Sequence, residues 1–466
     1  MQPIQLATIV ALASSIAQAQ EWPRFRGPNG SGVATASDPP INFGPEENVR
    51  WKAEVPFGAS SPVLTEKAVV VVGSDAEFLL VMALDRETGE ERWSRAIERE
   101  RTVEVFPAND SASPSPVTDG ENVYVFFPEM GLISFDAEGE ERWRHPLGPF
   151  INFYGMSSSP VLAGDVLILL CDQQQGSYII GIDTATGEQR WKTERSGIIE
   201  CWTTPVVYPF AAPKEVIVFG SYFVTSYSVA TGEELWRMKG FGYTPVCSPV
   251  LSGDRLYVSV PNHAEAGLPD WATLCAQSDK NGDNQLARSE LVGPMAEHFG
   301  WADANKDDII DEEEWNAAYD GMNSKDYGLA AIDLAGKDGP VELWRYKKGL
   351  PSIASPLLYE GVLYLARDGG LVTLIDAEHG ELISRERLPD GMGECWPSPV
   401  AAAGRIYMAN NAGQIAVIAA GAEWRVLKTN DLGEDCVSTP AIGGNALYVR
   451  TRKAIWCFAI PAGEGE

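Results

Sequence analysis

A Ser-Pro or Thr-Pro pair occurs eight times along this 466-residue chain, and its spacing constrains the fold more than any other feature. Five of the seven intervals between the prolines measure 41 to 45 residues, one measures 54 and one measures 107. A period of about 40 to 45 residues is the length of one four-stranded sheet, the blade of a β-propeller. The spacing therefore predicts a ring of eight blades. The prolines are Pro62, Pro116, Pro160, Pro205, Pro249, Pro356, Pro399 and Pro440.

The residues between the prolines repeat a turn and a tryptophan. Residues 159–191 contain four short β-prone runs, and the last two are joined by Asp183-Thr-Ala-Thr-Gly187. An aspartate can accept the turn amides, and glycine supplies the positive φ that a tight hairpin requires. A tryptophan follows this glycine by four residues in four repeats, and we expect its ring to pack between neighbouring sheets. The four pairs are Gly89/Trp93, Gly139/Trp143, Gly187/Trp191 and Gly232/Trp236.

The last repeat supplies only three strand-like runs before the chain ends. A fourth is available at the other end of the chain, in residues 48–55, where Trp51 occupies the repeat position. Completing the last blade with this N-terminal strand would close the ring and remove two open sheet edges. The sequence therefore predicts an all-β, eight-bladed propeller closed by an N-terminal strand.

These repeats resemble the pyrroloquinoline-quinone-like (quinoprotein alcohol dehydrogenase-like) propeller superfamily. The Asp-x-x-Thr-Gly-Glu-x-x-Trp runs at 85–93 and 183–191, the Ser-Pro-Val starts and the opening Trp22-Pro-Arg-Phe-Arg-Gly-Pro-Asn-Gly30 carry the resemblance. It covers residues 20–263 and 327–460. It implies the fold rather than an activity, because the superfamily contains both enzymes and binding scaffolds.

The N-terminus predicts an exported protein. An apolar run at residues 6–16 is followed by Ala-Gln-Ala at 17–19, which is typical of a signal-peptide cleavage site. The run is too short to span a bilayer, so we expect a periplasmic or secreted protein without membrane insertion. No cysteine lies near the cleavage site, so no lipid anchor is expected. The net charge of −29 disfavours nucleic acid as a partner.

The 107-residue interval, in blade 5, contains an acidic insertion at residues 264–326 with 15 acidic and 4 basic side chains. Two twelve-residue segments within it follow the EF-hand pattern, in which positions 1, 3, 5, 7, 9 and 12 supply oxygen ligands to Ca²⁺. Position 8 is apolar in both, as expected for two loops paired through a short strand. The predicted ligands are Asp279, Asn281, Asp283, Gln285 and Glu290 in the first loop, and Asp303, Asn305, Asp307, Ile309, Asp311 and Glu314 in the second.

Two features of these loops depart from the family pattern. Position 6 is Asn284 in the first loop and Asp308 in the second, where glycine is usual. Both residue types can adopt the left-handed conformation, so we expect the loops to form with altered affinity. Position 9 of the first loop is Ala287, so water would replace a ligand there. The sequence leaves open whether calcium is structural or regulatory.

The domain boundaries follow from these features. We expect a signal peptide at residues 1–19, an N-terminal extension at 20–47, the propeller at 48–263 and 327–460, and the EF-hand pair at 264–326. The insertion separates the second and third strands of blade 5, which places it on the face that carries the blade-to-blade connections.

The connections before blades 4, 7 and 8 bring acids and aromatics to that same face. Glu200, Trp202, Glu394, Trp396 and Asp435 each lie three or five residues before a blade proline. Because inner strands begin there, we expect these side chains to ring the mouth of the central channel, where a ligand could bind. Alternatively, the tryptophans plug the channel and the acids are solvated.

Two functions remain open. The first is a non-catalytic, calcium-binding scaffold for a protein or extracellular ligand, in the manner of outer-membrane assembly lipoproteins of this superfamily; the chain has four histidines and no ordered catalytic set. The alternative is a quinone-dependent dehydrogenase with its cofactor in the channel. The resemblance implies an adjacent Cys-Cys pair for quinone enzymes, and this chain has none. An enzyme is therefore the less favoured prediction.

Overall fold

The computed structural model describes residues 22–99, 101–102, 106, 109–243, 245–262, 268–297, 299–303, 305, 307–389 and 392–461. The predicted signal peptide lies outside these residues. Eight sheets follow one another as the blades of a propeller: seven have four antiparallel strands, and the sheet of blade 7 carries a fifth, parallel strand from the N-terminal segment. The first strand of blade 1 contacts the first strands of blades 2 and 8, so these inner strands lie toward the central axis.

The strands are numbered in chain order. Before blade 1 come β1 (Val33–Ala34) and β2 (Val49–Glu54). Blade 1 contains β3 (Val63–Leu64), β4 (Ala68–Ser74), β5 (Phe78–Asp85) and β6 (Glu91–Glu98). Blade 2 contains β7 (Val117–Thr118), β8 (Val123–Phe127), β9 (Gly131–Phe135) and β10 (Glu141–Pro146). Blade 3 contains β11 (Val161–Ala163), β12 (Val166–Cys171), β13 (Tyr178–Asp183) and β14 (Gln189–Glu194). Blade 4 contains β15 (Val206–Tyr208), β16 (Glu215–Gly220), β17 (Phe223–Ser228) and β18 (Glu234–Lys239).

The remaining blades continue the order around the insertion. Blade 5 begins with β19 (Val250–Ser252) and β20 (Arg255–Val260). The insertion contains α1 (Trp271–Ser278), β21 (Leu286–Ala287), α2 (Pro294–Glu297), α3 (Phe299–Ala302), β22 (Ile309–Ile310) and α4 (Glu312–Met322). Blade 5 ends with β23 (Gly328–Asp333) and β24 (Val341–Tyr346). Blade 6 contains β25 (Leu357–Tyr359), β26 (Val362–Arg367), β27 (Leu371–Asp376) and β28 (Leu382–Arg387). Blade 7 contains β29 (Val400–Ala402), β30 (Arg405–Ala409), β31 (Gln414–Ala419) and β32 (Val426–Asp431); blade 8 contains β33 (Ala441–Gly443), β34 (Ala446–Arg450) and β35 (Ala454–Ala459).

The ring closes as the sequence predicts. Strand β2 is the fourth strand of blade 8 and pairs antiparallel with β35, with Lys52 opposite Trp456. The outer edge of the last blade is therefore supplied by the N-terminal part of the chain. The predicted eight-bladed architecture and its closure are confirmed.

Five tryptophans pack against the turn glycine of the next blade, whereas Trp236 donates its Nε1–H to Glu215 in its own blade. A Cβ at Gly89 would lie 2.6 Å from the ring of Trp51, and Gly139, Gly187, Gly232 and Gly380 make the same close approach to a tryptophan. Each of these indoles also donates its Nε1–H to a carbonyl of that turn at 2.9 to 3.1 Å. Glycine is required here for two reasons, a positive φ and the absence of a side chain. The indoles belong to Trp51, Trp93, Trp143, Trp191 and Trp344.

The turn aspartates act as expected. The Asp183 carboxylate accepts the backbone N–H groups of Ala185 and Thr186, both at 2.9 Å. It also receives the guanidinium of Arg190 at 2.6 Å, and this hydrogen bond is the main reason that the pKa of Asp183 falls to about 2.

The N-terminal segment (residues 22–34) crosses the channel and contacts several blades. The carbonyl of Trp22 accepts the N–H of Leu64 in blade 1, and the carbonyl of Pro23 accepts that of Thr118 in blade 2. Strand β1 then pairs in parallel with β29, the inner strand of blade 7. The segment therefore joins blades that lie far apart in the sequence.

The insertion has a small apolar core of its own, centred on Trp271, Leu286 and Trp315. Its first and last helices are α1 and α4, and Asp270 caps α1 by accepting the N–H of Thr273. Between the loops, helical residues extend over Pro294–Glu297 (α2) and Phe299–Ala302 (α3), and the single residue between these ranges lies outside the described part of the chain. The helical residues begin at Pro294, because proline favours the first position of a helix. The preceding residue, Gly293, has φ +63° and is not helical.

Candidate functional site

A closed ring of hydrogen bonds surrounds the central axis. In each blade, the backbone N–H of the residue before the blade proline donates to the side-chain hydroxyl of the corresponding residue in the next blade, at 2.9 to 3.1 Å. The last bond runs from Thr439 in blade 8 to Ser61 in blade 1. We call these residues the hydroxyl ring: Ser61, Ser115, Ser159, Thr204, Ser248, Ser355, Ser398 and Thr439.

The ring explains why each blade proline follows serine or threonine. Proline cannot donate a hydrogen bond, and the residue before it is held in an extended conformation. That residue therefore presents its own N–H to one neighbouring blade and its hydroxyl to the other. The repeated hydroxyl was visible in the sequence, but periodicity alone does not reveal that successive copies bond to each other.

A cavity of about 180 Å³ lies inside the hydroxyl ring. All eight ring residues line it, together with Phe25 of the N-terminal segment. A second tier of lining residues stands two positions before the ring members: Ala59, Ser113, Ser157, Trp202, Val246, Ile353, Trp396 and Val437. The predicted convergence of Trp202 and Trp396 at the channel is therefore observed.

The three acids expected at the mouth do not line this cavity. Glu200 is buried and accepts the backbone N–H of Phe153 in the preceding connection. Glu394 is exposed at the rim and accepts the side-chain N–H of Asn411. Asp435 lies in a separate groove beside blade 8. The spacing from the blade proline predicts on which face of the propeller these residues lie. It does not predict the direction of their side chains, which depends on local hydrogen bonds.

An aromatic cluster covers one side of the channel mouth. The ring centroids of Phe153 and Tyr154 are 4.9 Å apart, and those of Tyr154 and Trp202 are 5.3 Å apart. Phe106 packs against Tyr154 at 5.0 Å. Burial and the nearby Glu200 raise the pKa of Tyr154, so its hydroxyl stays protonated at neutral pH. Tyr154 nevertheless remains 37% exposed.

A buried polar network lies beneath this face between blades 3 and 4. Asp172 and Arg195 form an ion pair at 2.6 Å, and both side chains are fully buried. Arg195 also donates to the hydroxyl of Tyr227 at 2.6 Å, and the thiol of Cys201 donates to Asp172 at 3.0 Å. Burial raises the pKa of Cys201, so this cysteine is a protonated hydrogen-bond donor. All seven cysteines are free thiols in the structure.

The first loop of the insertion is organised around its first and last acids. The Asp279 carboxylate accepts the N–H groups of Gly282 at 2.7 Å and Asn284 at 2.9 Å. The Glu290 carboxylate accepts those of Lys280 and Ala287, both at 3.0 Å. Asn284 has φ +60°, the left-handed conformation that position 6 requires.

The second loop repeats this arrangement. Asp303 accepts two loop amides at 3.2 Å, and Glu314 accepts the N–H groups of Asn305 at 3.0 Å and Asp311 at 3.2 Å. Asp308 has φ +64°. Burial, with added repulsion from Asp311 and Asp303, raises the pKa of Glu314.

The two loops are paired through their eighth residues. Leu286 lies opposite Ile310 in the two-stranded sheet, and both side chains are fully buried. In the described ranges, however, no three His, Cys, Asp or Glu side chains stand close enough together to hold a metal ion. Two of the five predicted ligands in the first loop and two of the six in the second are amide or backbone oxygens, so carboxylates form the majority of each predicted set.

The insertion lies against blades 3 and 4. Gln174 donates to the carbonyl of Gly300 at 2.9 Å, and a Cβ at Gly321 would lie 2.7 Å from the Tyr222 hydroxyl. Between the insertion and the propeller is a cleft of about 490 Å³. Its lining includes Glu200 from the propeller and Glu314 from the second loop.

A sequence family described as outer membrane protein assembly factor BamB matches residues 44–238 and 220–464. Outer membrane protein assembly factor BamB of Burkholderia pseudomallei (strain K96243) is 28% identical over 226 residues, which are 45% of this chain and 53% of that protein. The chain thus spans about half the length of the curated relative it matches.

Solved structures share the fold at low identity. BamB from Moraxella catarrhalis has a TM-score of 0.57 at 12% identity, covering 89% of this chain and 100% of that one. A europium-containing methanol dehydrogenase has a TM-score of 0.57 at 11% identity, with 90% and 87% covered. Quinohemoprotein alcohol dehydrogenase ADHIIG from Pseudomonas putida HK5 has a TM-score of 0.58 at 11% identity, with 96% and 81% covered. These likenesses show the fold alone.

Proposed function

Because the chain belongs to the outer membrane protein assembly factor BamB family, we propose that it is a non-catalytic scaffold whose connection-bearing face binds a protein partner. The aromatic cluster at the channel mouth is the observation that carries this proposal. Aromatic residues are enriched at protein interfaces and dominate their binding energy. Tyr154 is 37% exposed within that cluster, and the same face exposes Phe57 at 43% and Ile353 at 38%.

The channel supports a scaffold better than a quinone enzyme. Ligand pockets for drug-sized molecules measure roughly 300 to 1,000 Å³, whereas the cavity inside the hydroxyl ring measures about 180 Å³. The sequence also has no adjacent pair of cysteines.

In the described ranges, none of the helices has both the length and the apolar character needed to cross a lipid bilayer. We infer that the protein works in the periplasm or outside the cell, in contact with assembly partners.

Site-specific photo-crosslinking tests the scaffold proposal. A photo-reactive amino acid at Tyr154 in the native host should yield a discrete crosslinked protein. Leu235 provides a matched control, because it is 50% exposed but lies on the outer strand β18, away from the channel mouth. Identical products from both positions would contradict a binding face at the mouth.

The quinone alternative has its own test. The purified protein is incubated with pyrroloquinoline quinone and Ca²⁺, desalted, and examined for a quinone absorption spectrum and for alcohol-dependent dye reduction. We expect neither. Retained quinone together with turnover would replace the scaffold proposal with an oxidoreductase.

We further propose that the insertion binds two calcium ions. Both loops carry carboxylate, amide and carbonyl oxygens at the sequence positions that supply the ligands of Ca²⁺ in EF-hands. The short paired strands and the left-handed residues at position 6 support the same assignment. Exported modules of this kind bind calcium weakly, with Kd of roughly 10⁻⁴ to 10⁻³ M, which favours a structural ion.

Calorimetry with a charge-matched control tests the calcium proposal. Asp279→Ala combined with Asp303→Ala removes the first ligand of each loop and should abolish the heat of Ca²⁺ binding. Glu312→Gln combined with Glu313→Gln removes the same charge from residues outside the ligand positions and should leave binding within a few-fold. Equal binding by both double variants would refute the ligand assignment.

A further inference from the structure

Two arginines of the N-terminal segment are buried beside the channel without an acidic partner. Arg26 is fully buried and Arg24 is 5% exposed. Among the described residues, neither forms an ion pair with a carboxylate, and Arg24 Nε, Arg26 Nε and Arg26 Nη1 have no hydrogen-bond partner. Burying a charge without compensation costs several kcal/mol, so an arrangement of this kind calls for a counter-charge.

The guanidinium groups lie next to the hydroxyl ring. Arg24 donates from Nη2 to the carbonyl of Pro205 at 2.6 Å, and Arg26 donates from Nη2 to that of Pro356 at 2.5 Å. Each of these prolines directly follows a member of the ring. Phe25, between the two arginines, contributes to the lining of the central cavity. Each guanidinium therefore contacts a residue next to a ring member, although neither arginine belongs to the lining of the cavity.

The ring itself presents unused hydrogen-bond donors. Each ring hydroxyl oxygen already accepts a backbone N–H from the preceding blade. Within the part of the chain that the structure describes, none of the eight hydroxyls donates a hydrogen bond to a protein acceptor. All eight line the cavity, so up to eight O–H groups are available to a molecule inside it.

The charges around the cavity are positive. No aspartate or glutamate belongs to the described lining. Burial lowers the pKa of Arg24 to about 9, with a further decrease from the charge of Arg26, and lowers that of Arg26 to about 10. Both side chains remain charged at pH 7. The lining of the cavity thus presents hydroxyl donors and no carboxylate, and the two buried guanidinium charges lie behind it.

We propose that the central cavity binds a small oxyanion, a phosphate or a carboxylate group, held by the ring hydroxyls and by the field of Arg24 and Arg26. Charged acceptors form the strongest hydrogen bonds to such donors. The volume of about 180 Å³ suits a molecule of this size, since a cavity of about 150 Å³ accommodates a benzene molecule. The site differs from the cleft and the calcium loops, and it does not depend on the scaffold function.

Ser157 provides a test that leaves the ring intact. It lines the cavity two residues before the ring member Ser159 and takes no part in the ring hydrogen bonds. Ser157→Asp places a carboxylate where the anion would bind, while Ser157→Asn introduces a side chain of the same size without charge. Binding is measured by calorimetric titration of sodium phosphate, and separately of sodium acetate, with chloride held constant.

We expect saturable binding of at least one probe by the wild-type protein and, within about threefold, by Ser157→Asn. Ser157→Asp should weaken binding at least tenfold because of like-charge repulsion. Arg26→Met should weaken binding by a comparable factor. If this variant fails to fold, the comparison of Ser157→Asp with Ser157→Asn still tests the proposal. Stronger phosphate than acetate binding identifies a phosphate site, and the reverse identifies a carboxylate site. Absence of saturable binding of both probes, or equal binding by the two Ser157 variants, overturns the proposal.

Discussion

The hydroxyl ring makes a quantitative prediction at the point where the last blade meets the first. Ser61→Ala removes the hydroxyl that accepts the N–H of Thr439 at 3.0 Å, and both residues are buried. The amide is then left without an acceptor, at a cost of about 1 to 3 kcal/mol. Unfolding entropy of about 2.1 cal/mol/K per residue makes 1 kcal/mol correspond to about 1 °C in a chain of this length. We expect the Tm to fall by about 1 to 3 °C.

Scanning calorimetry in phosphate-free buffer measures this change. Ser61→Thr is the matched control, because threonine occupies the equivalent position in blades 4 and 8 and retains the hydroxyl. Ser159→Ala, within the ring rather than at its closure, should give a loss similar to that of Ser61→Ala. If Ser61→Ala and Ser61→Thr melt at the same temperature, the hydroxyl does not stabilise the closure and the reasoning is wrong.

Three further changes have expected outcomes that thermal unfolding can check. Gly89→Ala should lower the Tm by more than Gly253→Ala, because both glycines have positive φ but only at Gly89 would a Cβ collide with the ring of Trp51. Equal losses would contradict the packing argument. Asp172→Ala leaves a buried guanidinium uncompensated and should cost about 3 to 5 kcal/mol; a loss below 1 kcal/mol would show that the ion pair is unimportant. Asp183, with a folded pKa of about 2 against about 3.9 unfolded, contributes stability that is present above pH 4 and is lost as the pH falls toward 2. Asp183→Asn should therefore show a smaller decrease in Tm than the wild type between pH 6 and pH 2.5, and an unchanged decrease would argue against this contribution.

The sequence was sufficient to predict the architecture because each blade repeats the same local chemistry. The aspartate and glycine of each turn determine a hairpin through contacts a few residues apart, as the Asp183 carboxylate illustrates with its bonds to Ala185 and Thr186. Trp51 was recognisable as a displaced member of the series, which identified the closing strand. Such features depend on residues near in sequence, so a pattern can reveal them.

The candidate site was less predictable because its contacts join distant residues. Trp202 was correctly placed at the channel, but Glu200, two residues earlier, is directed by the backbone of Phe153 in another connection. Nothing in the sequence indicates that Arg24 and Arg26 reach carbonyls 181 and 330 residues away. The side-chain directions of these residues depend on which blades meet them, and only the assembled ring specifies that.

The closure of the propeller also changes how the molecule can come apart. An open stack of repeats has two terminal units, each with a single neighbour, and such units fray first. Here the closure of the ring is stabilised at two distances from the axis. The Thr439–Ser61 hydrogen bond joins blades 8 and 1 near the axis, and β2 completes blade 8 at the periphery. Every blade therefore has two neighbours, and no blade can loosen without disturbing both. The insertion, which is attached within one blade and has its own apolar core, can open and reclose without interrupting the circle.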